Sequence, residues 1–453
     1  MGDLLFTLAA FAVAIGILVT VHEYGHFRVA RWAGVRVLRF SVGMGRPLLR
    51  RTGKDGTEYV LAALPIGGYV KMLDEREGEV DPAERHRAFN NRPLGWRTAV
   101  VLAGPVANFL FAIVAYWLML VLGVPGLQAT VEAVDPDSAA ARAGFAPGDS
   151  IVAVEGRPAS TWGAAMQSLL PAALDGEAVE VTLRRDGREE TVTLEVPRMP
   201  EAARGGNLGG RLGLTPVRPA IPPVLGEIES GSPAARAGLR PGDRIVAAAG
   251  KSVAGWRELV ERVRASPGEP LSLTVEDDLG QRQVTVTPEA VPRPEGEPYG
   301  RIGAGVEPPG QMPAEYRAVQ RFGPVAALGE GVTRTWETAT MTLKVLGRMV
   351  IGQASLENLS GPITIAQFAG YTADAGFVQF IAFLAVVSIS LGVINLLPVP
   401  LLDGGHLLYY GIELFKGSPV SEQTEALGQR IGLAAILALM GLAFYNDLSR
   451  LFS

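Results

Sequence analysis

The chain has 453 residues, a formal net charge of −5 and no cysteine. Its charged fraction of 19% lies below the roughly 25% usual in soluble proteins, and its mean hydropathy is positive. These values exclude a disulfide framework and thiol chemistry, give no support to nucleic-acid binding, and leave room for roughly two to four domains, some of them apolar.

The first predicted element is an apolar run from about Leu4 to Val29 that ends in His22-Glu23-Tyr24-Gly25-His26. It lacks a basic leader and a small-residue cleavage site, so it reads as a retained membrane span. On a helix His22 and His26 lie one turn apart and point the same way, so both imidazoles reach one metal ion. Glu23 lies beside them, in position to act as general base on a metal-activated water. The loop that follows is rich in arginine (Arg28, Arg31, Arg36, Arg39, Arg46, Arg50, Arg51). The positive-inside rule therefore places it in the cytosol. Within it, residues 35–70 alternate apolar and polar side chains around Gly43, Gly45, Gly67 and Gly68, which predicts paired strands. His86 reads as a solvated loop residue. A second span is predicted at about residues 99–122. Gly104 and Asn108 on it read equally as close helix packing or as part of a catalytic chamber.

The middle of the chain repeats itself. Ser138 to Val152 is echoed by Ser232 to Val246, each with an Ala-Arg-Ala-Gly helix end followed by Pro-Gly-Asp, and Trp162 is matched by Trp256. The period is a whole small domain, too long for a solenoid. Domains are expected at 127–217 and 218–308, with a surface loop near Glu201–Arg211 and a linker at Pro292–Gly300. Residues 309–376 are expected to hold a connector and an amphipathic helix at Val325–Ile351 lying on the membrane surface. A third span is predicted at about 377–397 and a short fourth at about 431–446.

The third span runs into Asn395-Leu396-Leu397-Pro398-Val399-Pro400-Leu401-Leu402-Asp403-Gly404-Gly405-His406. Asp403 is an acid at the end of an apolar segment, where an unpaired charge is expensive. A metal would compensate it, and His22, His26 and Asp403 then supply three ligands, leaving a position for water. Counted from Leu4 at ~1.5 Å per residue, His22 lies roughly 27 Å along, near the inner boundary. Asp403 falls at the same depth from the other direction. Pro398 and Pro400 break the helix there, and Gly404-Gly405 permits a sharp turn. His406 reads as a supporting or packing residue.

The two metal motifs resemble those of the site-2 protease family of intramembrane metalloproteases, closest to its bacterial sigma-regulating branch. Phe89-Asn90-Asn91, Ala103-Gly104-Pro105-Val106-Ala107-Asn108 and Asn358-Leu359-Ser360-Gly361-Pro362 add to the resemblance. The repeat resembles a tandem of circularly permuted PDZ domains. The resemblance implies a four-span α-helical membrane protein with two inserted PDZ-like α+β domains and a membrane-associated β-loop. It implies Zn²⁺ held by His22, His26 and Asp403, with Glu23 as catalytic acid/base and Asn395 near the tetrahedral intermediate. It further implies substrate-side roles for Gly43, Gly45, Asn358, Pro362, Pro398 and Pro400. The expected substrates are single-pass membrane proteins already trimmed on the outer side, above all an anti-sigma factor, and remnant signal peptides. The expected location is a bacterial inner membrane, with both termini and the PDZ domains periplasmic and the active site toward the cytosol. The PDZ ligands are left open, as is the choice between filter, ligand sensor and spacer; as a filter, the domains would exclude untrimmed proteins by bulk. Two competing readings are a catalytically idle scaffold, which has no need of Glu23, and a zinc transporter, against which the missing symmetric repeat speaks.

Overall fold

The computed structural model describes residues 2–452 apart from 200–206, 278–279, 293–296, 308–311 and 353–360. The chain divides into two units, residues 1–124 with 320–453, and residues 125–319.

The first unit holds four described helices long and apolar enough to cross a membrane: Gly2–Trp32, Leu94–Leu122, Phe377–Asn395 and Gln423–Arg450. These are the first to fourth spans below. Small residues set their approach, as expected where lipid removes the hydrophobic drive between helices. A Cβ on Gly25 of the first span would lie 2.8 Å from Ala107 Cβ on the second. Gly392 of the third span lies against the Phe109 ring and the Pro105 carbonyl. Ser388 Oγ donates to the Asn108 carbonyl at 2.9 Å, tying the second and third spans together where both are buried.

The fourth span differs from its expectation. Its helix runs Glu422–Phe452, well beyond 431–446. Asp447, beyond the expected end, is 2% exposed and works inside the bundle. Its carboxylate accepts from the backbone N–H groups of Gly361 (3.0 Å), Ile363 (2.9 Å) and Thr364 (3.2 Å) and from the Thr364 hydroxyl (2.6 Å). It thereby caps helix Pro362–Ala375, a second helix in the expected connector. That helix packs on the first span, where Gly370 meets Thr7. The expected amphipathic segment is helix Pro324–Val350. Its Ala327 is buried against the second and third spans, while Val325 and Trp336 are exposed.

The loop after the first span is an antiparallel pairing of strands Val37–Thr52 and Glu58–Met72, folded back on itself so that Ser41 faces Tyr69 on one side and Val60 on the other. The bends fall at Gly43, Gly45 and Gly67, all with φ between 76° and 89°, a region closed to most side chains. Among the described residues, Gly68–Met72 pair on one side only.

The second unit carries two four-stranded sheets with matching order. One runs Arg157–Pro158, Ser150–Val154, Ala178–Arg185, Arg188–Glu195; the other runs Lys251–Ser252, Arg244–Ala248, Leu271–Asp277, Gly280–Val286. Each packs a helix (Trp162–Asp175, Trp256–Arg264) over its own apolar core. The short helices before them start with Ser138 and Ser232, whose hydroxyls accept from the amides of Ala141 and Ala235, as N-caps do. Of the expected linker, residues 293–296 lie outside the described residues, and strands Glu289–Val291 and Tyr299–Arg301 pair with each other. Residues 201–206 of the expected surface loop lie outside the described residues, and Leu208–Arg211 is a helical turn.

Candidate metal centre

The first span continues unbroken through the His-Glu-Tyr-Gly-His motif to Trp32. His22 and His26 are therefore successive members of one helical face. Both are buried, their rings crossing edge to face with 4.8 Å between centroids. Asp403 arrives from the far end of the chain, in the first turn of helix Asp403–Lys416. A helix N-terminus favours an anion there. His22 Nε2 lies 3.2 Å and His26 Nε2 3.5 Å from Asp403 Oδ2, and the two Nε2 atoms are 3.2 Å apart. One ligand atom from each residue thus falls within 4.8 Å of the others.

The protonation chemistry of this cluster matches a cation. His26 Nδ1 faces the Val100 carbonyl at 2.8 Å. A carbonyl only accepts, so Nδ1 carries the proton and the neutral ring turns a lone pair out at Nε2. Asp403 Oδ2 is buried, and among the described residues it meets no polar partner besides the two histidine nitrogens. Two ring nitrogens and a carboxylate oxygen that converge on one point form a donor set that favours a positive ion between them. Two imidazoles and a carboxylate suit a four-coordinate divalent metal with one open position.

The turn that delivers Asp403 is held by close packing. Leu401 has a φ of 88°, strained for a residue with a Cβ. Gly404 and Gly405 are helical; they do not form the sharp turn expected of them. They are small because a Cβ on Gly405 would lie 2.6 Å from the Val399 carbonyl, and one on Gly404 would strike the carbonyls of Leu396 and Leu397. Further along, Glu413 forms a forked ion pair with Arg97 of the second span, one arm 3.2 Å, and the Arg97 guanidinium lies over the Tyr410 ring.

Glu23 faces a cavity of about 240 Å³ that it lines with His26, Asp403, His406, Arg76, Tyr410, Val70, Met72, Phe89, Val100 and Val101. The Val70 backbone N–H hydrogen-bonds its carboxylate. Gly68 sits against it, since an added Cβ would lie 3.1 Å from Glu23 Cγ. The site therefore draws on the first and second spans, the strand edge and the Asp403 helix.

The other sequence candidates are more dispersed. Asn395 is half-buried at the last turn of the third span and makes no hydrogen bond to the metal cluster among the described residues. Gly43 and Gly45 shape the bend of the strand pair. Pro400 packs against Gly428 and Gly432 of the fourth span. Pro398 is exposed in the turn before Asp403. Pro362 opens the helix capped by Asp447. Asn358 lies outside the described residues.

Two residues read only ambiguously from sequence touch the histidines. A Cβ on Gly104 would overlap the His26 ring and lie 2.8 Å from His22 Cε1. Asn108, fully buried, places Nδ2 3.1 Å from His22 Nδ1. The signal for Asn108 was present, since a polar amide inside an apolar span needs a partner. Nothing in the sequence pointed to the Val100 carbonyl.

The family described as Peptidase family M50 matches residues 10–439. The chain is 45% identical over 454 residues to the regulator of sigma-E protease RseP of Escherichia coli strain K12, covering all of both chains. It is 44% identical over 453 residues to the protein of that name in Salmonella typhimurium, again over all of both. It is 43% identical over 445 residues to a putative zinc metalloprotease of Neisseria meningitidis, covering 98% of this chain and 99% of that one. The chain belongs to peptidase family M50 and is a membrane metalloprotease.

Proposed function

We propose that this chain is a zinc-dependent endopeptidase that cuts the transmembrane segments of single-pass proteins within a bacterial inner membrane. The observation that carries this reading is the convergence of His22, His26 and Asp403 within 4.8 Å, beside a cavity lined by Glu23, His26 and Asp403. Zinc bound there supplies Lewis acidity, polarising the scissile carbonyl and acidifying water toward a pKa of ~7. The Glu23 carboxylate takes a proton from the water as its oxygen adds to the carbonyl carbon. It returns that proton to the amine nitrogen as the C–N bond breaks. The Asn395 amide donates to the oxyanion.

A helical substrate satisfies its own amides and must be unwound before it is cut. The one-sided strand edge Gly68–Met72, in contact with Glu23, supports pairing with an extended substrate. Gly43 and Gly45 bend the strand pair to that end. Pro398, Pro400 and Pro362 are assigned substrate-side roles, as is Asn358 from its sequence motif alone.

The two matched sub-structures of residues 127–308 are PDZ-like domains that exclude untrimmed proteins by size. They and both termini lie in the periplasm, with the metal toward the cytosol. The names of the relatives in Escherichia coli and Salmonella favour an anti-sigma factor as substrate, with remnant signal peptides as a second class.

The test is Glu23→Gln in purified full-length protein, with zinc content and cleavage of a tagged single-pass substrate read side by side. Retained zinc with cleavage reduced by about 10²–10⁴-fold is expected; undiminished cleavage refutes the assignment.

A further inference from the structure

We propose that the strand pair after the first span carries a seat for one anionic phospholipid, with an acyl chain in a groove against that span and the phosphate on Arg51. The groove has a volume of about 640 Å³ and shares no lining residue with the cavity beside the metal. Its floor is one face of the sheet. Phe40, Tyr59 and Arg51 stand opposite one another on three neighbouring strand segments, and Val42, Leu61 and Leu49 do so one row further on. Residues paired across strands point to the same side. The Phe40 and Tyr59 rings lie 5.4 and 6.1 Å from that of Phe27. This face is therefore turned to the first span, whose Thr20 completes the wall.

The two rows suit the two halves of a lipid. Leu49 is 68% and Leu61 45% exposed, and Leu48, Leu64 and Met44 extend the same segments with more exposed apolar surface. A contiguous apolar patch of this kind needs a cover. On the first span the exposed Val13, Ile17 and Tyr24 share a helical face with Thr20, so the groove opens along a surface that meets lipid. Counted from Leu4 at ~1.5 Å per residue, Thr20 lies roughly 24 Å along and Phe27 roughly 35 Å, on either side of the edge of a ~30 Å hydrocarbon layer. Gly68, the partner of Val42, packs on Val19. The leucine row thus lies at hydrocarbon depth and the Arg51 row, beside Phe27, at phosphate depth. The charge fits as well. Residues 37–61 hold five basic side chains against two acidic ones, in a chain of net charge −5. Asp55 is taken by Arg31, and Glu58 by Arg39 and Arg50. Arg51 lines the groove with no carboxylate partner among the described residues. A guanidinium at that depth attracts an anionic headgroup and binds phosphate oxygens in a fork.

The experiment titrates the full-length protein in detergent with phosphatidylglycerol or phosphatidylcholine and counts retained lipid by native mass spectrometry. The native chain is expected to hold one phosphatidylglycerol more tightly than phosphatidylcholine. Arg51→Gln should weaken phosphatidylglycerol about fivefold, the worth of one basic residue at a charged membrane surface, and leave phosphatidylcholine unchanged. Leu49→Ser combined with Leu61→Ser should weaken both lipids about tenfold through lost apolar contact. Circular dichroism reports whether each variant keeps its fold. Equal binding of the two lipids, Arg51→Gln binding as the native chain does, or a serine variant of native affinity each overturns the proposal. A serine variant that slows cleavage of a single-pass substrate yet holds lipid as before assigns the groove to substrate, and the proposal falls. Should the variants fail to fold, the native protein decides. In nanodiscs, the amides of residues 48–52 and 59–61 should exchange hydrogen more slowly in phosphatidylglycerol than in phosphatidylcholine; equal exchange overturns the proposal. Lipid retention needs neither zinc nor cleavage, so its outcome is independent of the proteolytic reading.

Discussion

At the scale of single residues, the metal cluster depends on atoms that are missing as much as on those present. Gly104 leaves the room into which both imidazoles fit, since an added methyl would overlap the His26 ring and press on His22. Gly104→Ala should therefore lose stoichiometric zinc, read by elemental analysis, while Gly95→Ala on the same helix, with no neighbour within 4 Å, should keep it. The motif residues His22, Glu23, His26 and Asp403 were legible because ligand chemistry and spacing restrict residue type. Gly104 was only half legible, because a glycine in a span has the same appearance whether it faces a helix or a ligand.

At the scale of elements, two buried carboxylates act as staples. Asp447 holds the first turn of helix Pro362–Ala375 to the fourth span through four hydrogen bonds. Asp447→Ala leaves those donors unpaired and should cost about 2–3 kcal/mol, read as a lowered unfolding midpoint in detergent, with the helix around Thr364 becoming exposed to hydrogen exchange.

Asp149, 1% exposed, accepts a forked pair from Arg185 at 2.7 and 2.8 Å and the Ala146 amide at 2.8 Å. Burial would raise its pKa, but the guanidinium and the amide outweigh it and hold it below the usual carboxylate range. A depressed folded-state pKa means that the unfolded chain binds protons first as pH falls. The stability Asp149 contributes is thus fully present above its unfolded pKa of about 3.9 and is lost as pH drops toward the folded value. Acid unfolding followed at Trp162, which packs on the same core, should show that loss in the native chain and not in Asp149→Asn.

At the scale of the whole molecule, the predictions concern what the assembled chain selects. Removing zinc with a chelator should abolish cleavage, and adding zinc back should restore it. Deleting residues 127–308 should admit substrates that have not been trimmed; cleavage that still requires trimming would refute exclusion by size.

The sequence by itself determined the spans, the duplicated middle region and four residues of the centre, because hydropathy, repetition and ligand spacing are local properties that one stretch of chain displays unaided. Only the tertiary structure decided that Asp403 meets both histidines, that Asn108, Gly104 and the Val100 carbonyl border them, and that the fourth span extends through Asp447. Those relations depend on helices more than 70 residues apart in the chain coming to one place. The pairing of a buried donor with a distant acceptor leaves no periodicity in the sequence from which it could be read.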